Sequence, residues 1–142
     1  MRAERGKVLI GRLPTDGDLL GELQALCRLE NIRLGVFSVI GALRCAKLGY
    51  YDQQAQAYVE SVDLKEKFEI AVCTGNVSLK EGEIFVHAHI TLGDREGRAF
   101  AGHLMPGSVI FAAEYVVQEL LGPELERVYD EKTGLNLWDA AC

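Results

Sequence analysis

The sequence predicts an α+β domain, and two patterns predict it. One stretch near the start carries apolar residues at helical spacing, and most of the remaining chain alternates with the two-residue period of strands. A third observation bears on function: the chain's only histidines, His87, His89 and His103, fall within one candidate hairpin. At 142 residues the chain reads as one domain, 1–142, long enough for a packed core.

Gly6-Lys7-Val8-Leu9-Ile10-Gly11 reads as a short first strand, which Pro14 breaks. Thr15-Asp16-Gly17-Asp18 has the Thr-x-x-acid spacing of a helix N-terminus. Leu19, Leu20, Leu23, Leu26 and Cys27 then form one apolar stripe, with Asn31 as the stop. Leu34 to Ile40 is an apolar strand ending at Gly41, Ala46 to Tyr51 is another, and Asp52-Gln53-Gln54 is a turn. Tyr58 to Val62 alternates. So does Phe68 to Val72, which ends at Thr74-Gly75-Asn76. Ser108 to Leu121 fits a strand or a helix, Gly122-Pro123 ends it, and a last strand or turn is expected around Leu125 to Tyr129, with Trp138 packing near the end.

Glu83 to Leu92 alternates most cleanly. Ile84, Val86, Ala88, Ile90 and Leu92 make the core face, so Phe85, His87, His89 and Thr91 point the other way. The next strand runs from about Arg98 to Leu104. A three-residue loop, Arg95-Glu96-Gly97, puts Gly97 at the left-handed position such hairpins favour. That register sets His89 directly across from His103, with His87 diagonal to it. Slipping by one residue would turn His103 to the opposite face. Three convergent neutral imidazoles make a divalent-metal site with one position open, zinc being the default.

The net charge of −6 and the absence of any basic run argue against nucleic-acid binding by global electrostatics. No segment approaches about 18 consecutive apolar residues, and the charged start precedes no signal-peptide core, so the chain reads as cytoplasmic with no membrane partner. Cys27, Cys45, Cys73 and Cys142 are widely spaced without a Cys-x-x-Cys, which reads as reduced thiols.

Several ordered segments resemble the plants-and-prokaryotes-conserved (PPC) domain family. They are Lys67-Phe68-Glu69-Ile70 with Thr74-Gly75-Asn76, then His87-Ala88-His89-Ile90, then Gly97-Arg98-Ala99-Phe100-Ala101-Gly102-His103-Leu104 with Gly107 and Val109. The likeness runs from about Val8 to Leu137. It implies a mainly antiparallel sheet with few helices, assembled as a homotrimer. Stand-alone prokaryotic members are described as DNA-binding, and some hold a metal at the histidines, a role carried here to His87, His89 and His103. Plant members add an AT-hook. Gly11-Arg12-Leu13-Pro14 departs from that motif, and the chain has no other candidate.

The resemblance implies a metal-holding, DNA-binding or regulatory module with DNA or another protein as partner. The alternative is a metal-dependent hydrolase or lyase acting on a small molecule, with metal-bound water as nucleophile. Such an enzyme needs a proton-transfer group, and Glu60, Glu69 and Glu114 are the candidates. DNA binding would need the assembly to gather Arg33, Arg44, Lys47 and Arg98 into one patch. A cupin also carries a His-x-His strand, but here Pro106-Gly107 is contiguous and no later histidine follows. The two-sided apolar run around Phe111, Tyr115, Val116, Val117, Leu120 and Leu121 suggests burial against a second subunit.

Overall fold

The computed structural model describes residues 1–138. The elements run in the order β1 (Glu4–Leu13), α1 (Leu19–Leu29), β2 (Gly35–Asp52), β3 (Ala57–Leu64), β4 (Phe68–Lys80), β5 (Glu83–Gly93), β6 (Ala99–Leu104), β7 (Val109–Leu121), β8 (Glu126–Asp130) and β9 (Leu135–Trp138). Among the described residues α1 is the one helix. Cys142 lies outside the described residues, and Cys27, Cys45 and Cys73 are unpaired.

The strands form one sheet in the order β1-β7-β2-β6-β5-β4-β8-β9, with β3 on β2. The sheet is mixed: β8 runs parallel to β4, and the other ladders are antiparallel. Strand β2 joins its two halves. Residues 35–43 lie between β4 and β7, whereas residues 46–52 carry β3 and touch β6. Because β4, β5 and β6 pair in turn, these four strands close on themselves around the core.

Two expected strand ends are absent. The segments 34–40 and 46–51 belong to one continuous strand, since Leu43 and Ala46 are fully buried and carry the inward pattern across the gap. Bulges and Gly41, at φ 142°, absorb the bend. Likewise β4 runs through Thr74-Gly75-Asn76 to Lys80. A Cβ on Gly75 would lie 2.1 Å from the His87 carbonyl oxygen and 2.4 Å from Cζ of Phe37. That glycine therefore marks a close approach inside the sheet, not a turn. The ambiguous run at 109–121 is strand β7.

Helix α1 starts one turn later than its Thr15 signal. Asp18 is the N-cap, accepting from Gly21 N–H at 2.8 Å. Its second oxygen accepts from the N–H groups of Gly107 and Ser108 at 2.6 and 3.1 Å, which ties the helix to the β6–β7 turn. Leu19, Leu23 and Cys27 are fully buried, as their spacing predicts. Burial pushes the thiols of Cys27 and Cys73 up to about 11 and about 12, so both stay protonated. Gln24 reaches β5 where β6 does not: its amide donates to the Ile84 carbonyl and accepts from Val86 N–H. The backbone just before the first histidine is thereby satisfied. No helix among the described residues is long and apolar enough to cross a membrane.

Candidate metal centre

The alternation of β5 aims the histidines. Ile84, Val86, Ala88, Ile90 and Leu92 are all buried in the core, so the odd positions between them face away from it. A one-residue slip would expose five apolar side chains and bury two imidazoles. At about 2 kcal/mol for each large aliphatic group the cost is on the order of 8 kcal/mol, so the facing is firmly set.

The β5–β6 hairpin forms in the register the sequence predicts. His89 pairs with His103, and the ladder continues through Thr91 with Ala101 to Gly93 with Ala99. Gly97 sits at φ 80°, and Asp94 fixes the turn by accepting from the N–H groups of Glu96 and Arg98. His87, one step further along β5, completes the cluster. Ring centroids are 5.1 Å apart for His87–His89, 4.9 Å for His87–His103 and 5.6 Å for His89–His103. One ring nitrogen from each histidine lies within 4.8 Å of the others, and Nε2 of His87 is 3.2 Å from Nδ1 of His103. Two nitrogens on a tetrahedral zinc ion lie roughly 3.3 Å apart, given Zn–N bonds of about 2.0–2.1 Å. The donor set therefore fits a small divalent transition metal, with coordination positions left over.

Electrostatics keep two of these donors available. Burial lowers His87 to about 4, and repulsion from His103, Arg127 and His89 adds to that. Burial, then His89, also lowers His103. Both are neutral at pH 7, and a metal binds the neutral ring. For chelator-treated protein this has a pH consequence. Because the folded value of His87 lies below its ordinary 6.5, the unfolded chain takes up the proton first as pH falls. Stability is thus full above about pH 6.5 and declines toward pH 4. The His87 share is about 1–2 kcal/mol after allowance for partial exposure. Urea midpoints should fall between about pH 7 and pH 4.5, and a His87→Gln protein should show a smaller fall. Equal falls in both proteins would remove His87 as the cause.

The candidate carboxylates do not join the cluster. Glu60 is ion-paired to Lys47 at 3.3 Å, Glu69 lies at the far end of β4 opposite Gly93, and Glu114 pairs with Arg12 and Ile40 on the exposed sheet face. The cations suggested for a DNA patch are also engaged: Arg33 with Glu124, Arg44 with Asp16, Lys47 with Glu60, and Arg98 with Asp94 and Glu96. Two neighbours of the cluster carry no local sequence signal. Tyr58 on β3 stacks on His103, centroids 4.5 Å apart. Arg127 on β8 reaches across the neighbouring β4 to donate to Asn76 Oδ1 and Ser78 Oγ. Both arrive through long-range pairing.

The matches to known proteins fit this geometry. The family pattern of the Plants and Prokaryotes Conserved (PCC) domain covers residues 2–121. The chain belongs to this family. It superimposes with a TM-score of 0.91 on a metal-containing protein from Archaeoglobus fulgidus that is 39% identical, covering 96% of each chain. A candidate DNA-binding protein from Bacteroides thetaiotaomicron matches with a TM-score of 0.86 at 27% identity, covering 99% of each. The chain is also 34% identical over 125 residues to a bifunctional protein GlmU from a Synechococcus strain, JA-3-3Ab. That alignment takes in 87% of this chain but 19% of the relative, so the chain spans about a fifth of that protein's length.

Proposed function

We propose that this PCC-domain chain is a metal-holding binding and regulatory module acting as a homotrimer, with His87, His89 and His103 as ligands of one divalent ion, zinc by default. The observation that carries the reading is the convergence of three imidazoles from two paired strands, two of them held neutral by their surroundings. When bound, the ion supplies a Lewis-acidic centre with an exchangeable position. The chain's own part is to fix the rings by strand register and to wall the position with Tyr58. The metal-containing relative from Archaeoglobus supports the same reading.

The trimer rests on the sheet face that carries the histidines. One lateral row runs Ile10, Val116, Ser38, Thr74, His89, His103, each paired with the next. The β1-β7-β2 end of that face exposes Val8, Ile10, Val36, Ile40, Phe111 and Val116, with Ile10 at 77%. An apolar patch of this extent, continuous with the site, fits a second copy of the chain. DNA is the partner suggested by the Bacteroides relative. Such contact would exchange surface ion pairs of Arg33, Arg44, Lys47 and Arg98 for phosphates, and it predicts retardation in gels that weakens steeply with salt. No retardation at low salt would remove DNA from the account. The hydrolase alternative gains nothing from the carboxylates, since none of the three lies in the cluster.

Metal content read beside solution mass tests both halves. The expected result is about one ion per chain and a particle of three 15.6 kDa chains. Ile10→Glu should yield the single-chain mass while keeping the ion. A metal-free protein, or a wild-type particle of 15.6 kDa, would overturn the corresponding half.

A further inference from the structure

A cavity of about 320 Å³ opens beside the cluster, and its charge is unlike that of the chain. His87 and His103 form one end. Tyr58, Phe85, Lys80 and Arg127 line the rest with main-chain and uncharged groups, and no Asp or Glu is among the described lining residues. In a protein of net charge −6, two cations without an acid among the described residues of one concavity is a specific arrangement.

Arg127 is the better placed of the two. Its guanidinium lies 5.2 Å from the Phe85 ring centre and 5.3 Å from that of Trp138, between two aromatic faces. Nε donates to Ser78 Oγ at 2.9 Å, one terminal nitrogen to Asn76 Oδ1 at 2.8 Å, and the other to the Asn136 carbonyl at 3.2 Å. Those three bonds fix the fork. A guanidinium has five N–H groups, so one on each terminal nitrogen is left without an acceptor among the described residues. Neither Arg127 nor Lys80 makes an ion pair there. Lys80 Nζ stands 5.8 Å from the same Phe85 ring, so the two cations share one wall. Arg127 is half-buried, and burial disfavours its charge with no carboxylate among the described residues to offset it. A bound anion would supply that counter-charge.

We infer that this cavity binds a small aromatic carboxylate, its anion on Arg127 and Lys80 and its ring among Tyr58 and Phe85. The planar fork matches a carboxylate, and the aromatic walls match a flat ring. The volume suits a molecule of one ring. This extends the metal-centre reading by naming the molecule held beside the histidines, where a bound divalent ion would add positive charge that attracts the anion. It rests on that reading only for the gain in affinity that zinc brings.

Calorimetric titration of the full chain tests it, with benzoate as the probe and benzamide as its uncharged counterpart, on chelator-treated and zinc-loaded protein. Benzoate should bind both forms, tighter with zinc, and at least about tenfold tighter than benzamide. Arg127→Met should weaken benzoate at least about tenfold while leaving zinc content unchanged. Lys80→Met should weaken it by a smaller factor. Arg127→Lys, which keeps charge and bulk, should fall between wild type and Arg127→Met, which separates recognition from a folding defect. Benzoate binding no tighter than benzamide, unaffected by Arg127→Met, or absent altogether would overturn the inference. If the histidines hold no zinc but benzoate still binds through Arg127, the anion pocket stands and the metal reading fails. If zinc binds and benzoate does not, the reverse holds.

Discussion

A His103→Ala protein is expected to lose its metal while keeping its fold. In the proposed site His103 is the sole ligand from β6, and its side chain faces away from the core, so truncation opens no internal cavity. What remains is His87 and His89 on one strand, two imidazoles with no third donor among the described residues across from them. Losing a partner that merely orients a ligand costs roughly 10–100-fold in metal affinity. Losing the ligand itself should cost about 100-fold or more on the same scale. Competition with a chromophoric chelator measures the change, and the urea midpoint at neutral pH reports whether folding is intact. An unchanged metal affinity would show that the ion sits elsewhere. His87→Ala should behave in the same way and should also blunt the fall in urea midpoint at acid pH.

Gly75→Ala should produce the largest loss of stability of any single-methyl change at the site. The new Cβ meets a backbone oxygen of β5 at 2.1 Å and the Phe37 ring at 2.4 Å. The oxygen belongs to His87, so it cannot yield without moving the histidine strand. The Phe37 side chain is buried and has little room to retreat. Overpacking of this kind costs about 3 kcal/mol, or roughly 10 °C in Tm for a chain of this length. Metal affinity should fall with it, because β4 and β5 must separate where Asn76 faces His87. Gly93→Ala is the control. It lies in the same hairpin, and its added Cβ meets nothing within 4 Å. That protein should melt within a few degrees of wild type. Equal losses for both would show that the close approach at Gly75 is not the cause.

The readable parts of the fold are those whose reasons are local. The β5–β6 hairpin was legible because five inward residues and a left-handed Gly97 all act within about twenty residues of each other. The α1 stripe was legible for the same reason, although its start moved to Asp18 because that carboxylate also serves the distant β6–β7 turn. Gly75 misled because a glycine required by a close approach looks like one required by a turn until the partner strand is known. Strand β2 looked like two strands because its bulges shift the alternation between Val39 and Cys45. Strand β7 was ambiguous because its outer face carries Phe111 and Val116, apolar residues exposed on the isolated chain.

The site divides the same way. The three histidines could be placed from spacing and register alone. Arg127 could not, because its position depends on the parallel pairing of β8 with β4, a contact across more than forty residues that leaves no periodic mark. Tyr58 reaches His103 only because β3 and β6 both attach to the second half of β2. Glu60, Glu69 and Glu114 were singled out for polarity within apolar segments. The structure shows polar neighbours and solvent there instead of the histidine cluster.

X-ray absorption at the metal edge of the purified, zinc-loaded protein tests the central claim most directly. Three imidazole nitrogens are expected at about 2.0–2.1 Å, with the multiple-scattering signature of histidine rings, and one further light atom. A shell of oxygen donors without imidazole scattering, or any sulfur from the cysteines, would contradict it.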